Sequence, residues 1–410
     1  MSLLRRIAGA ALAVPFGATM SNLRAQGASA RGQVAITAIK AMQTTNRSGT
    51  LIKIETDAGI CGYGPCHAPG PVARSVIDTL HHGRLPHLGL IGKDPLDIEV
   101  HFHNMFYAYP QRGRQTRVLS GIDIALWDLA GKILNQPVAK LLGGSFRDEI
   151  PLYSHWGVRD PLNREAWLEG AQALKEDPHG FKAFKIDIHH VLGMPMQQFR
   201  PSIGPQDARR VNQAYTYARE ALGDEIDIIV HCHCELDVPT AIRVAEAVEP
   251  IKPLYYEDPL APGFSEAWMA LRRSTRLPIM TGENIELAEN ALPFLVNQAV
   301  DCLQPDLVNS GGITGVKKMA DLAALFRIPI HLHNVSGLAL NMASQQVTAA
   351  TFNAPLMECT RDANQAPEAA ENAPVIRDGK MVVSTLPGLG IVLDEEYLKA
   401  TRVEGEPWWG

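Results

Sequence analysis

The sequence predicts an α/β protein in which a (β/α)8-type barrel follows an N-terminal α+β capping domain. Three observations favour this fold. Short apolar runs in the later part of the chain end on polar residues at regular intervals. Helical patterns lie between those runs, which is typical of βαβ units. The first part of the chain differs, because an antiparallel meander is followed there by helices.

The barrel is expected over residues 151–385. From His231 onward, the intervals between successive strand ends are 26, 26, 23, 27 and 25 residues. A strand, a helix and two loops need about that length, so these intervals indicate parallel strands joined by helices. Eight strand ends are recognised: Ser154, Asp187, His231, Glu257, Glu283, Asp306, His333 and Glu358.

The capping domain is expected over residues 31–150. Strand patterns at residues 34–39 and 50–56 lead through a turn into a third strand. The following helix has one apolar face, and Ser120 is its expected N-cap. The loop at residues 65–70 is a candidate lid over the site, and residues 386–410 are expected to pack as a tail on the cap.

Residues 1–30 have the pattern of an export signal. Arg5 and Arg6 precede an apolar run, and Ala28-Ser29-Ala30 offers a cleavage site. The paired arginines suggest the twin-arginine route. A periplasmic or exported protein is therefore expected, or a cytoplasmic one if this segment is only an N-terminal extension.

The composition excludes several classes of partner. The net charge is −6, and no basic stripe indicates binding to nucleic acid. No apolar run is long enough for a secure membrane span, so no membrane partner is expected.

None of the six cysteines forms a zinc-type pair. A disulfide between Cys61 and Cys66 remains open from the sequence.

Polar residues at the strand ends carry the expected chemistry, because the carboxyl ends of barrel strands gather at one face. A solvated strand end explains one ionisable residue there, but poorly explains one on every strand from the second onward. The residues concerned are Lys185, Asp187, His231, His233, Glu257, Glu283, Asp306, His333 and Glu358.

Several motifs resemble those of the enolase superfamily and, within it, the mandelate racemase subgroup. The resemblance spans roughly residues 33–400. It rests on Tyr256-Glu257-Asp258-Pro259, Gly282-Glu283-Asn284, Pro305-Asp306, the run from Ile328 to His333, and the run from Gly121 to Asp128. It implies abstraction of a proton α to a carboxylate, assisted by Mg²⁺.

The resemblance also implies roles for individual residues. Glu257 and Glu283 correspond to the second and third metal ligands. His333 corresponds to the base, and Asp306 to its partner, which orients the imidazole. Glu358 corresponds to the residue that hydrogen-bonds the substrate carboxylate.

The first departure from the family pattern is His231, where the family has an aspartate as its first metal ligand. Strand alternation would put His231 and His233 on the same inward side. Replacing a carboxylate by a neutral imidazole removes a negative charge, which should weaken Mg²⁺ binding and favour Mn²⁺, Fe²⁺ or Zn²⁺. We expect a changed metal or a weakened site.

The second departure is Asp187, where racemases of the subgroup have a lysine as second base. A one-base reaction with an acid for the leaving group is therefore favoured. Asp187, His189, His190 and His233 are all open as that acid, and Lys185 is a further candidate catalytic residue.

The expected function is dehydration of a sugar acid to a 2-keto-3-deoxy acid. The alternatives are a racemase or epimerase of a 2-hydroxy acid, and a non-catalytic carboxylate-binding protein that has lost the metal. The partner in each case is a small-molecule carboxylate. The family resemblance also implies a closed homo-oligomer.

Overall fold

The computed structural model describes residues 34–46, 49–82, 86–108, 115–200, 202–361 and 372–409. The expected export signal at residues 1–30 lies outside these ranges and stays a prediction. Within the described ranges, no helix is both long and apolar enough to cross a membrane.

The cap consists of one antiparallel sheet and the helices packed on it. Its strands, in sheet order, are β1 (Ile36–Gln43), β2 (Thr50–Thr56) and β3 (Cys61–Cys66). Its helices are α1 (Gly70–His82), α2 (Ile98–His103), α3 (Thr116–Leu134) and α4 (Val138–Leu141), with a 3₁₀ turn at Pro86–Leu88 and a π turn at Asn104–Ala108.

Helix α3 lies directly on the sheet. A Cβ added to Gly64 would be 2.0 Å from the Gly121 carbonyl oxygen, so only glycine permits this close approach. The helix begins at Thr116, and the expectation of an N-cap at Ser120 is therefore wrong. Ser120 lies inside the helix, and its hydroxyl accepts a hydrogen bond from the Gly311 N–H at 3.1 Å, which ties the cap to the barrel.

The barrel strands are parallel and adjacent in chain order, as predicted. They are β4 (Glu149–His155), β5 (Ala183–Asp187), β6 (Asp227–His231), β7 (Tyr255–Glu257), β8 (Ile279–Thr281), β9 (Cys302–Leu303) and β10 (Met357–Glu358). Single bridges from Ile330 to Leu303 and from Leu332 to Met357 fill the seventh position, and β10 pairs with β4 to close the ring. The predicted fold class is confirmed.

Helices cover the outside of the ring, and the main hydrophobic core lies between them and the strands. They are α5 (Arg164–Lys175), α6 (Ile188–Leu192), α7 (Pro205–Leu222), α8 (Val238–Val248), α9 (Glu266–Ser274), α10 (Leu287–Val296), α11 (Gly312–Leu325) and α12 (Leu338–Ala349), with a 3₁₀ turn at Glu249–Ile251.

The C-terminal segment contacts both parts of the molecule. Strands β11 (Ile376–Arg377) and β12 (Lys380–Val382) form a hairpin that pairs antiparallel with β4. Helix α13 (Glu395–Ala400) packs on the cap, where the Glu395 carboxylate lies 2.9 Å from Lys53 Nζ. Trp409 belongs to the same small apolar cluster as residues of β1 and β2.

Candidate active site

The carboxyl ends of the barrel strands surround a cavity of about 530 Å³, which residues of the cap also line. Six of the predicted site residues line it: Asp187, His231, His233, Glu283, Asp306 and His333. The other three, Lys185, Glu257 and Glu358, are fully buried beneath it, where Lys185 contacts both glutamates. The structure thus brings all nine predicted residues together.

His333 and Asp306 form a buried dyad. Nδ1 of His333 lies 2.7 Å from Asp306 Oδ2, while Asp306 Oδ1 accepts the Val308 N–H at 2.8 Å. An ionised carboxylate can only accept hydrogen bonds, so Nδ1 carries the proton and Nε2 is directed to the cavity. There Nε2 lies 3.0 Å from Glu283 Oε2.

The charge of His333 is set by competing effects. Burial alone lowers the pKa of His333, but the Glu283 and Glu358 carboxylates outweigh it and raise that pKa well above its ordinary value. Burial opposes ionisation of Glu283, yet His333 holds the pKa of that carboxyl well below its ordinary value. Without a further cation, the two side chains therefore form an ion pair.

Lys185 is a buried cation between two carboxylates. Its Nζ lies 3.0 Å from Glu257 Oε1 and 2.9 Å from Glu358 Oε1. Burial lowers the pKa of Lys185, but these carboxylates raise it above the ordinary value, so the ammonium stays charged. Glu358 Oε2 also accepts the backbone N–H of Asn334 at 3.2 Å.

A cluster of electron-pair donors lies beside this lysine. The ligand atoms of His231, Glu257, Asp258 and Glu283 are all within 4.8 Å of one another. His231 Nε2 lies 3.5 Å from Glu257 Oε1 and 3.8 Å from Glu283 Oε2. Burial raises the pKa of Glu257 to about 8 and that of Asp258 to about 7.

These residues fit a divalent cation. Burial lowers the pKa of His231 well below its ordinary value, so its imidazole is neutral. Its Nδ1 lies 3.0 Å from Asp187 Oδ1, which puts the lone pair on Nε2. That lone pair faces carboxylate oxygens, and Nε2, Glu257 Oε2 and Asp258 Oδ2 have no hydrogen-bond partner among the described residues. A cation bound among them would satisfy all three atoms.

His233 reaches the cavity for a reason other than the expected one. Strand β6 ends at His231, and His233 and Cys234 both have left-handed backbones, with φ of 50° and 62°. Both histidines face the cavity as expected, but strand alternation does not apply to this turn and is not the reason. The turn brings the His233 ring against the His231 ring, with centroids 3.7 Å apart and the ring planes tilted by 39°. Burial lowers the pKa of His233 to about 4.

Two of the other candidates for the acid lie on α6 and do not line the cavity. His189 is buried and packs edge-on against His233 at a centroid distance of 5.4 Å. His190 is exposed. Geometry therefore separates His233 and Asp187, which line the cavity, from this pair.

Several further residues of the site lie outside the set that the sequence predicts. His155 ends β4, the first barrel strand, and its Nε2 lies 3.0 Å from Glu358 Oε1. His67, within the candidate lid, hydrogen-bonds Ser336 at the barrel rim. Arg117 lines the cavity from the cap, and Arg361 lines it beyond β10. The two arginines had no distinguishing signal in the sequence.

All six cysteines are free. Cys61 and Cys66 are the two ends of the extended strand β3, so the disulfide left open by the sequence does not form.

Comparison with known families agrees with this geometry. Residues 28–143 match the mandelate racemase / muconate lactonizing enzyme N-terminal domain, and residues 168–397 match the enolase C-terminal domain-like family. The chain belongs to the enolase superfamily, in its mandelate racemase subgroup. The resemblance stated from the motifs is confirmed.

Named relatives and solved structures cover nearly the whole chain. D-xylonate dehydratase of Haloferax volcanii is 32% identical over 92% of either chain. D-gluconate dehydratase of Thermoproteus tenax is 30% identical over 86% of this chain and 70% of its own.

Among solved structures, a mandelate racemase/muconate lactonizing enzyme from Sulfitobacter sp. superposes with a TM-score of 0.81. It is 26% identical, over 91% of this chain and 97% of its own. An enolase superfamily member from Salmonella Typhimurium has a TM-score of 0.80 and 26% identity, over 91% and 98%.

Proposed function

We propose that this enzyme dehydrates a sugar acid to a 2-keto-3-deoxy acid by removing the proton α to the carboxylate. The observation that carries the proposal is the His333–Asp306 dyad, whose Nε2 is directed into the cavity that His231 and Glu283 also line. The names of the two dehydratase relatives support this reaction and this class of substrate.

The proposed metal ligands are His231, Glu257 and Glu283, with Asp258 adjacent. A divalent cation held by them would stabilise the negative charge that develops on the substrate carboxylate during proton removal. Since one ligand is a neutral imidazole, the site should favour Mn²⁺, Fe²⁺ or Zn²⁺ over Mg²⁺.

His333 is the proposed base. In the free site its proton is held by Glu283. With Glu283 serving as a metal ligand, that carboxylate would no longer stabilise the imidazolium, and a neutral His333 held by Asp306 could accept the α proton.

His233 is the proposed acid for the leaving hydroxyl, because it lines the cavity and contacts His231. Burial keeps its imidazole neutral in the free protein, and an anionic substrate in the cavity would stabilise the protonated form. Asp187 is less suited, since its carboxylate already accepts from His231.

Lys185 and Glu358 are proposed to contact the substrate carboxylate. An ionised glutamate alone would repel that group, but the Lys185 ammonium lies 2.9 Å from Glu358. The pair lies buried beneath the cavity and therefore offers a cation as well as an acceptor to a substrate carboxylate that reaches the cavity floor.

The test follows deuterium and product together. The protein and its His333→Asn variant are incubated in D₂O with D-xylonate, D-gluconate and other sugar acids, with each of Mg²⁺, Mn²⁺ and Zn²⁺. NMR should show a 2-keto-3-deoxy product for the wild type and none for the variant. An inverted substrate carrying deuterium would indicate an epimerase. Ligand binding without exchange under any metal would indicate a carboxylate-binding protein.

Two further proposals rest on the sequence and the family. We propose export through residues 1–30, which N-terminal sequencing of the protein from the periplasmic fraction would test. We also propose a closed homo-oligomer, to be tested by light scattering of the purified protein.

A further inference from the structure

Asp187 and His231 occupy paired positions on neighbouring strands. Asp187 ends β5, His231 ends β6, and the parallel register places them opposite each other. Their side chains meet, with Asp187 Oδ1 3.0 Å from His231 Nδ1. The imidazole is 1% exposed, so it has little freedom to turn away from this contact.

This contact decides which nitrogen of His231 can bind a cation. Asp187 can only accept, so it fixes the proton on Nδ1 and the lone pair on Nε2. Nε2 is the nitrogen that lies among the oxygens of Glu257 and Glu283 and has no hydrogen-bond partner among the described residues. A carboxylate behind an imidazole in this way orients the ring and raises its strength as a ligand.

We propose that Asp187 is the positioning residue of the metal site and that it acts only through His231. This inference rests on the proposed function, since it presumes a divalent cation among His231, Glu257 and Glu283. The negative charge absent from position 231 is then supplied from the neighbouring strand, behind the ligand. The site keeps an anionic partner for its first ligand while offering nitrogen to the cation.

Other contacts of Asp187 are weaker or longer. His155 Nδ1 lies 3.8 Å from Asp187 Oδ1, beyond hydrogen-bonding distance. The ligand atoms of Asp187, His189 and His233 lie within 4.8 Å of one another, close enough to share a cation, but Nδ1 of each histidine has no hydrogen-bond partner among the described residues. His231 is therefore the side chain that Asp187 holds.

A double-mutant cycle on metal binding tests this role. The variants are Asp187→Ala, His231→Asp and the two combined, and the probes are Zn²⁺ and Co²⁺ with the full-length protein. Asp187→Ala should raise the dissociation constant of either metal about 10- to 100-fold. In the His231→Asp background the same change should cause no loss, because a carboxylate ligand has no Nδ1–H to orient. Asp224→Ala, at an exposed position, is the matched control.

A spectroscopic readout separates positioning from a general structural role. In the Co²⁺ protein, the His231 Nδ1–H should give a strongly shifted proton signal in H₂O that disappears in D₂O. The signal should vanish in His231→Asp and broaden through faster solvent exchange in Asp187→Ala. Asp187→Asn, which keeps the shape and one acceptor, should give an intermediate affinity and guards against misfolding of the alanine variant.

Equal loss of affinity in both backgrounds, or no loss in either, would overturn the inference. The outcome is independent of turnover. If the four proteins show the predicted pattern of metal affinities but the wild type dehydrates no sugar acid, only the proposed function is refuted. A wild type that dehydrates normally while Asp187→Ala binds metal unchanged would refute the inference alone.

Discussion

The two sides of the cavity differ in how closely they follow the family pattern. The side built by β7 to β10 carries Glu257, Glu283, Asp306, His333 and Glu358, all at the positions that the family motifs imply. On the side built by β4 to β6, histidines predominate, and both departures from the pattern lie there. We call these the carboxylate side and the histidine side.

Under the proposed residue roles, this difference separates the groups that transfer the proton from the groups that select the metal. His333 contacts Asp306 and Glu283, which both belong to the carboxylate side. The cation cluster instead joins the two sides, since His231 comes from β6 and its oxygen partners from β7 and the end of β8. Under the proposed roles, a change on the histidine side should therefore alter which metal binds while leaving the base in place.

The largest effect is expected from the carboxylate side. His333→Asn removes the proposed base, so turnover should fall by about 10²- to 10⁴-fold, and α-proton exchange should disappear with it. Steady-state kinetics and NMR in D₂O measure the two. His190→Asn, at the exposed histidine of α6, is the control and should leave both unchanged. Retained exchange in His333→Asn would place the base elsewhere.

Glu283→Gln should affect both metal binding and the pKa of His333. It removes a proposed ligand, so the dissociation constant for Zn²⁺ should rise by more than about 100-fold. A loss of about 100-fold is the upper limit for removing a residue that only hydrogen-bonds a ligand. It also removes a carboxylate that holds up the pKa of His333, which should therefore fall. Metal titration and histidine NMR test the two effects. Glu266→Gln is the exposed control, and unchanged affinity in Glu283→Gln would exclude Glu283 as a ligand.

On the histidine side, His233→Gln should separate removal of the α proton from loss of the hydroxyl group. Without the proposed acid, dehydration should slow about 10²-fold or more, whereas α-proton exchange should continue because His333 is intact. Product formation and deuterium incorporation are followed in the same sample. If both fall equally, His233 supports binding rather than loss of the hydroxyl.

A buried carboxylate outside both sides should affect stability with little effect on turnover. Asp123 on α3 accepts the Thr314 N–H of α11 at 3.0 Å, and burial raises its pKa to about 7. The folded state therefore favours the protonated form, and its stability falls as pH rises from about 4 to about 7. The expected loss is about 1.4 kcal/mol for each unit between the two pKa values.

Asp123→Asn should remove this part of the pH dependence. Urea unfolding of the wild type and the variant at several pH values gives the difference, with exposed Asp224→Asn as control. A difference that does not change with pH would show that Asp123 is ionised in the folded protein.

The sequence was informative wherever function follows from position along the chain. Strand ends repeat at intervals set by the length of a βα unit, so Glu257, Asp306 and His333 were assigned to one face. The same reasoning applied to β4 would have included His155, which ends that strand.

Local backbone geometry and cap contacts were beyond such reasoning. Asp258 follows Glu257 directly, and alternation would direct it away from the cavity. Its left-handed backbone, with φ of 46°, instead brings its carboxylate into the cation cluster. Arg117 and His67 reach the cavity only through the packing of the cap on the barrel.

The most direct test of the difference between the two sides is a competition between metals for the purified wild-type protein and His231→Asp. The expected result is that the wild type retains Zn²⁺ or Mn²⁺ against a large excess of Mg²⁺, and that His231→Asp shifts this preference toward Mg²⁺. A wild type that binds Mg²⁺ tightly, with the same preference in His231→Asp, would contradict a role for the histidine side in choosing the metal.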